Sequence, residues 1–195
     1  MLRFIGFYNY TVILTYLSVV SAAVGMNLAA GGSFAAAMNC LVISGICDAF
    51  DGTVARSKKD RTEDEKAFGI QIDSLCDAIS FGVFPAVLCY HMGVDGILGI
   101  LCMSAYILCA VIRLAFFNVL EAKRQQEEGG CNKTYRGLPV TTASAIFPLF
   151  YLLHFLLPEN AFVVLLHVLL LLVAYLFVLD FTVKKVSVDR LLAKK

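Results

Sequence analysis

Six long apolar stretches follow one another along this chain, and they constrain its fold more than any other feature. A helix needs about 20 mostly apolar residues to cross a bilayer, and each stretch meets that requirement. The connections between them are polar, such as "SKKDRTEDEK" and "PEN". We therefore predict an all-α integral membrane bundle of six transmembrane helices, at about residues 10–30, 33–56, 67–90, 94–117, 137–157 and 161–182.

The composition agrees with a membrane protein and excludes an ordinary soluble domain. Of the 195 residues, 59% are hydrophobic and only 16% are charged, and the mean hydropathy is +0.79. The net charge of +1 comes without a polybasic tract, so no nucleic-acid partner is expected. Because the apolar character continues to residue 183, we expect no removable signal peptide and a single membrane domain over 1–195.

The basic residues predict the orientation of the six spans. Lys and Arg accumulate in cytoplasmic connections. The second and fourth connections and the C-terminal tail hold four, four and five of them, whereas the first, third and fifth connections hold none. This alternation indicates that both termini, and the connection between the second and third spans, are cytoplasmic.

Four aspartates lie in the second and third predicted spans, where an ionised group is costly and usually functional. Helical spacing places Asp48 and Asp51 on one face, and Asp73 and Asp77 on another. The two spans run antiparallel, so all four carboxylates should meet toward the cytoplasmic side. Mg²⁺ and Mn²⁺ take oxygen ligands, and two such ions about 4 Å apart can clamp a phosphoryl group. We predict a site for two of these ions.

The remaining polar residues of the apolar segments carry weaker signals. The seven cysteines contain no C-x-x-C pair, and the three histidines are scattered, so neither set predicts a metal site. Asp180 lies close to the basic tail, and we expect it to reach water at a helix end.

Eight residues in and beside the aspartate pairs stand at fixed spacings, in the pattern Asp48-x2-Asp51-Gly52-x2-Ala55-Arg56 and Gly69-x3-Asp73-x3-Asp77. This pattern resembles the signature of the CDP-alcohol phosphatidyltransferase family. Small residues on a helix face let backbone or ligand come close. Twelve residues separate Arg56 from Gly69, which is longer than the usual family spacing. We expect the extra residues to extend the cytoplasmic connection and to leave the carboxylates in place.

Three further segments are similar to one branch of that family, the CDP-diacylglycerol–serine O-phosphatidyltransferases. They are "FGIQIDSLCDAISFGVFPA" (68–86), "RLAFFN" (113–118) and "GLPVTTAS" (137–144). Many members of the branch carry "RLARFN", and here Phe116 stands in place of the second arginine. This departure bears on the choice of acceptor.

The resemblance implies both an activity and roles for individual residues. A serine hydroxyl would attack the lipid-side phosphorus of CDP-diacylglycerol and expel CMP, with Asp77 as general base and all four aspartates as metal ligands. The implied CDP-lipid contacts are Gly52, Ala55, Arg56, Gly69 and Thr62, with Ser57 as an alternative hydroxyl and Thr15 and Ser18 lining the nucleotide site. The implied acceptor contacts are Arg113 and Arg136. Relatives also suggest a homodimer.

Several alternatives stay open from the sequence alone. The acceptor could be glycerol 3-phosphate or inositol phosphate, and the lipid could have a diacyl or an ether backbone. Arg113 could be an interfacial anchor, and Arg136 could serve only topology. From another class, intramembrane carboxylates also occur in cation-coupled transporters. The transporter reading is disfavoured because the charges lie toward one membrane face and no inverted repeat is evident.

Overall fold

The computed structural model of the chain describes residues 6–58, 60–126 and 134–184, and its architecture is helical. After a 3₁₀ turn at Tyr10–Val12, the helices are α1 (Ile13–Ala30), α2 (Phe34–Ser57), α3 (Glu63–Asp77), α4 (Phe84–His91), α5 (Gly96–Gln126), α6 (Ala143–Tyr151) and α7 (Glu159–Val178). Two short strands, β1 (Thr134–Arg136) and β2 (Thr182–Lys184), pair antiparallel. The predicted helical class is confirmed, and this strand pair is an addition to it.

Five helical segments of the described residues are long and apolar enough to cross a membrane: Tyr10–Ala30, Phe34–Ala55, Glu63–His91, Gly96–Lys123 and Glu159–Val178. The predicted span at 137–157 corresponds to a shorter apolar segment, Val140–Phe155. This segment is irregular because α6 contains Pro148 and is flanked by 3₁₀ turns, and proline removes a backbone hydrogen-bond donor. The structure therefore agrees with an integral membrane protein, and five of the six predicted spans correspond to helices that are long and apolar enough to cross a membrane.

The connection between α2 and α3 is shorter than the sequence analysis predicted. Placing Glu63–Lys66 in a loop was wrong, because α3 begins at Glu63. The Thr62 hydroxyl accepts from Glu65 N at 3.2 Å, and the Glu65 carboxylate accepts from Thr62 N at 3.1 Å. This reciprocal pair is a capping box, and it starts the helix despite the charged composition. Lys58 donates to Glu65 at 2.8 Å, and this hydrogen bond raises the pKa of Lys58.

The third span is not one regular α-helix. Directly after Asp77, the chain passes through a π-helical segment, Ala78–Val83, before α4 begins. Such segments change the backbone hydrogen-bond pattern and recur at functional sites. The buried Tyr106 of α5 donates its hydroxyl to Phe81 O at 2.7 Å, and Ser18 of α1 donates to Ser80 Oγ at 3.0 Å. Two neighbouring helices therefore hold the segment that follows Asp77.

The apolar core is built around large aromatic side chains. The Tyr106 ring lies 5.7 Å from that of Phe147 and 5.5 Å from that of Phe177, centroid to centroid. Phe81, Phe84 and Phe162 are also fully buried. Within this packing, α1 contacts α2 along its length, α5 contacts α7, and α3 lies beside α5. The faces of α2, α3 and α5 that carry polar residues can therefore share one cleft.

Candidate active site

The four aspartates of the sequence pattern come from two helices that face each other. Asp48 and Asp51 are on α2, and Asp73 and Asp77 are on α3. The carboxyl groups of Asp48 and Asp77 lie close enough to interact directly, as do those of Asp51 and Asp73. Asp48, Asp73 and Asp77 each offer one oxygen atom, and these three atoms lie within 4.8 Å of one another. We call these three residues the carboxylate trio.

Asp51 stands slightly apart from the trio. Its Oδ2 accepts a hydrogen bond from Thr15 of α1 at 3.2 Å. The sequence analysis predicted four ligands, and among the described residues the structure groups three of them and links the fourth to α1. A carboxylate has further lone pairs after accepting one bond, so the ligand role of Asp51 stays a prediction.

The trio suits a hard divalent cation. Asp77 is only 8% exposed, and Asp73 Oδ1 is buried with no hydrogen-bond partner among the described residues. A buried polar atom without a partner is costly, and neighbouring carboxylates repel one another. An ion that takes oxygen ligands would relieve both effects. The residues present therefore fit a metal ion.

Small residues lie within two helical turns of the trio on α2 and α3. Gly52 and Ala55 of α2 and Gly69 of α3 are all half-buried. The guanidinium of Arg61, from the α2–α3 connection, lies over Gly69, with Nη2 donating to Glu65 O at 3.0 Å. A Cβ atom on residue 69 would be 2.5 Å from that Nη2. Glycine therefore leaves the space that the arginine occupies.

The predicted hydroxyl contacts of the nucleotide have structural partners of their own. The Thr62 hydroxyl caps α3, and Ser57 Oγ donates to Val54 O at 2.7 Å. The side chain of Arg56 lies outside the part of the chain that the structure describes. Nucleotide contacts of Thr62 and Arg56 stay predictions. Arg61 was missed by the sequence analysis, because only the folded connection brings it to Gly69.

A cavity of about 310 Å³ adjoins the trio. Ligand sites commonly measure about 300–1,000 Å³. The cavity contains both signs of charge, because its lining residues are Asp48, Asp73, Asp77, Arg113, Leu114, Phe117, Pro139, Val140 and Thr141. Such a cavity can hold a ligand that has an anionic group at the guanidinium and a reacting group at the carboxylates.

Arg113 is held by the turn that precedes α6. The residue is 7% exposed, and its Nε donates to Leu138 O at 3.1 Å. Gly137 in this turn has a φ of +75°, and a Cβ atom there would lie 3.1 Å from Leu179 O and 3.4 Å from Arg113 Nε. The Gly137 N–H donates to Phe181 O at 2.6 Å. Arg113 is therefore enclosed by the fold at the edge of the cavity, and its role as an acceptor contact stays a prediction beside that of an interfacial anchor.

Thr141 was also missed as a candidate site residue. The sequence analysis named no ligand role for the hydroxyls of "GLPVTTAS". Two of them do bond to nearby backbone, Thr142 to Pro139 O at 2.6 Å and Ser144 to Thr141 O at 2.7 Å. Thr141 instead lines the cavity, and no hydrogen bond of its hydroxyl occurs in the described segments. Its sequence position offers no signal that separates it from Thr142.

Other residues of interest lie around the edge of the cavity. Asn118 Oδ1 accepts from Ser74 Oγ at 2.8 Å, which links α5 to α3 beside Asp73. Phe116 is 46% exposed and does not line the cavity, so the departure from "RLARFN" falls outside it. Asp180 is exposed and interacts electrostatically with Arg113. The side chain of Arg136 lies beyond what the structure describes.

Comparison with known proteins identifies the family. Residues 8–180 match the CDP-alcohol phosphatidyltransferase family. This chain belongs to that family. The match covers α1 to α7, so it includes the helices that carry the trio and Arg113. The resemblance inferred from the aspartate pattern is therefore confirmed.

Among its relatives in the family, the chain is 37% identical over 144 residues to archaetidylserine synthase of Methanothermobacter thermautotrophicus, which covers 73% of this chain and 58% of that protein. It is 30% identical over 155 residues to CDP-diacylglycerol–serine O-phosphatidyltransferase of Helicobacter pylori, covering 76% and 61%. The protein of the same name from Saccharomyces cerevisiae is 35% identical over 107 residues, covering 54% and 37%. The chain therefore spans less than two thirds of the length of these relatives.

Proposed function

We propose that this family member transfers a phosphatidyl group from CDP-diacylglycerol to L-serine, giving phosphatidylserine and CMP. The observation that carries the proposal is that the carboxylate trio and Arg113 line one cavity. Serine presents a hydroxyl for the reaction and a carboxylate that a guanidinium can bind in a bidentate manner. The names of the three relatives support this acceptor.

In the proposed reaction, the serine hydroxyl oxygen attacks the phosphorus that is bonded to diacylglycerol. A bond forms between these two atoms, the bond from that phosphorus to the bridging oxygen of the diphosphate breaks, and CMP leaves. Asp77 accepts the hydroxyl proton, since a neutral alcohol is a poor nucleophile. Its burial and its neighbour Asp48 support a fixed position for this base.

The proposed cation site uses Asp48, Asp51, Asp73 and Asp77 and takes Mg²⁺ or Mn²⁺, with two ions bound. These ions would supply positive charge against the diphosphate and the departing CMP. The unpartnered Asp73 Oδ1 supports this assignment. The Thr15 hydroxyl holds Asp51 toward α1, and so orients the carboxylate that stands apart from the trio.

The other proposed contacts divide between the two substrates. Gly52, Ala55 and Gly69 leave space for the cytidine diphosphate, and Arg56 and Thr62 contact it. Arg113 binds the serine carboxylate, with Arg136 as a second acceptor contact. The closed geometry around Arg113 supports its role, because Leu138 O already orients the guanidinium. Positioning of two substrates accounts for much of the rate of such transfers.

The proposed arrangement in the membrane has six spans, cytoplasmic termini and an active site that faces the cytoplasm. Its support is the alternation of basic connections in the sequence. The segment Val140–Phe155 would be the sixth span. We also propose that 1–195 forms one domain and assembles as a homodimer. Single-cysteine labelling from each side of sealed vesicles tests the orientation, and the mass of the detergent-solubilised protein tests the dimer.

The activity is tested with the purified chain of 195 residues, CDP-diacylglycerol and Mg²⁺ or Mn²⁺. L-Serine, glycerol 3-phosphate and inositol phosphate are supplied in parallel, and CMP release and the lipid product are measured. We expect phosphatidylserine with serine and little product otherwise. A parallel series with an ether-linked CDP-lipid identifies the preferred lipid backbone. Absence of CMP release with every acceptor would refute the proposal.

A further inference from the structure

The guanidinium of Arg61 has few partners in the folded chain. Nη2 donates to Glu65 O at 3.0 Å, and Nη1 reaches Ala55 O only at 3.5 Å. Nε is buried and has no hydrogen-bond partner among the described residues. Arginine offers five N–H donors, so this group keeps donors available where it lies against Gly69.

Among the described residues, no neighbouring carboxylate pairs with the positive charge of Arg61. Glu65 pairs with Lys58 at 2.8 Å, and Glu63 pairs with Lys66 at 2.7 Å. Arg61 forms no ion pair within the described residues. The buried Nε without a partner and the unpaired charge both favour an anionic ligand. Hydrogen bonds between charged partners are stronger than those to neutral carbonyls.

The position of Arg61 defines which anion it can meet. Ala55 lies one helical turn from Asp51 on α2, and Gly69 lies one turn from Asp73 on α3. The guanidinium that touches both small residues is therefore about one turn, roughly 5 Å, from the carboxylates. A diphosphate that meets cations at the carboxylates would extend toward this guanidinium.

We propose that Arg61 binds the diphosphate of the CDP-lipid, as a nucleotide-site residue that the α2–α3 connection supplies. This inference rests on the proposed function, because it requires a CDP-activated substrate. On binding, the guanidinium exchanges its long bond to Ala55 O for phosphate oxygens. Arg61 becomes a binding residue in addition to Arg56 and the small residues of the family pattern.

The connection is built to hold Arg61 in place. Arg61 directly precedes Thr62, the N-cap of α3, so the capping box fixes the backbone beside it. Lys58 and Asn9 both donate to Glu65, at 2.8 and 3.2 Å. These contacts join the end of α2, the N-terminal segment and the first turn of α3. A guanidinium held in advance loses less conformational entropy when its ligand binds.

The test measures CDP binding to the chain of 195 residues in detergent with Mg²⁺ present. We expect Arg61→Gln to raise the dissociation constant for CDP about tenfold, which corresponds to about 1.4 kcal/mol. The KM for CDP-diacylglycerol should rise by a similar factor, and the KM for serine should not change. Arg61→Lys keeps the charge but lacks the planar guanidinium. Its dissociation constant for CDP should therefore lie between those of the wild type and Arg61→Gln. This second variant keeps the test decisive if Arg61→Gln does not fold.

Lys66→Gln is the matched control. It removes the same charge from the first turn of α3, where exposed Lys66 pairs with Glu63 away from Gly69. We expect CDP affinity to be unchanged. Equal losses in Lys66→Gln and Arg61→Gln would overturn the inference in favour of a general charge effect.

The remaining outcomes separate this inference from the proposed function. Unchanged CDP affinity in Arg61→Gln overturns the inference, and tighter binding also overturns it, since the arginine would then obstruct the cleft. A chain that binds CDP through Arg61 but transfers nothing to serine supports the inference and rejects the proposed acceptor. A wild-type chain that does not bind CDP overturns both.

Discussion

Two arginines lie near the carboxylate trio, and different kinds of structure hold them there. Arg113 stands on the long helix α5 and is 7% exposed, whereas Arg61 lies in a short connection and is half-buried. Each donates to backbone carbonyls, and each lies against a glycine, Gly137 or Gly69. Both guanidinium groups are therefore held by backbone carbonyls beside a glycine. For Arg113 the support is a helix with a turn packed on it, and for Arg61 it is the connection that ends at the N-cap of α3.

The difference between the two sides indicates a division of labour. The Arg113 side is closed by the turn before α6 and by the residues that follow α7, since Gly137 N donates to Phe181 O. Under the proposed function, this side holds the small acceptor. On the Arg61 side, one bond of the guanidinium is long, at 3.5 Å to Ala55 O, so the side chain can exchange partners when a larger substrate enters. Under this division, we expect the two sides to act independently and to share only the carboxylates.

The largest expected effect comes from the shared carboxylates. Asp77→Asn removes the proposed base, and we expect kcat to fall about 10³-fold, since general bases contribute about 10²–10⁴-fold. CDP binding should weaken far less than kcat falls, because the other carboxylates and the amide oxygen of the new asparagine can still bind a cation. Steady-state kinetics together with CDP binding measure both quantities. Glu63→Gln, at an exposed acid outside the cleft, serves as control. Full activity of Asp77→Asn would contradict the assignment of Asp77 as the base that both sides of the site share.

The next effect isolates the Arg113 side. Arg113→Gln should raise the KM for serine about 30-fold, since hydrogen bonds to charged groups contribute about 1.5–3 kcal/mol. The dissociation constant for CDP should not change, which is the reverse of the pattern expected for Arg61→Gln. In the double variant, the rise in the KM for serine and the rise in the dissociation constant for CDP should each equal that of the single variant, as expected for independent sites. Strong non-additivity would show that the two sides are coupled.

The two glycines should respond differently to the same substitution. Gly137→Ala places a side chain at a φ of +75° and 3.1 Å from Leu179 O, so we expect a stability loss of about 1–3 kcal/mol. Gly69 is helical, and its added Cβ would meet the far end of the long Arg61 side chain, which can shift at little cost. Gly69→Ala should therefore leave the melting temperature nearly unchanged and weaken CDP binding several-fold. Thermal unfolding and CDP titration compare both variants. Equal melting temperatures would contradict the view that only Gly137 is required by the backbone conformation.

The features that the sequence analysis predicted correctly depend on local patterns. Long apolar runs indicate spans whatever their neighbours are, and aspartates at helical spacing share a face in any helix. The carboxylate cleft between α2 and α3 could therefore be expected from residue spacing and connection length. The early start of α3 was also a local signal, because Thr62 and Glu65 form the pattern of a capping box. It was missed because a charged segment between two apolar runs also predicts a loop.

Other features depend on contacts between distant segments and could not be predicted. A continuous apolar run gives no sign of the π-helical segment after Asp77, whose contacts come from Tyr106 and Ser18. Arg61 reaches Gly69 only because the connection folds back over α3. Thr141 and Thr142 are adjacent and chemically identical, yet only Thr141 lines the cavity. The difference arises from the 3₁₀ turn that separates their directions.

The smallest expected effect concerns these two threonines and sharpens the account of the Arg113 side. Thr141→Val keeps the shape of the side chain but removes a hydroxyl from the cavity, so the KM for serine should rise about threefold, corresponding to a net hydrogen bond of about 0.5–1.5 kcal/mol. Thr142→Val instead removes the bond to Pro139 O at 2.6 Å, so it should lower the melting temperature and leave that KM unchanged. Serine kinetics and thermal unfolding of both variants provide the comparison. If the two variants behave alike, the hydroxyl of Thr141 has no contact with the acceptor, and Arg113 alone must select serine on that side of the cleft.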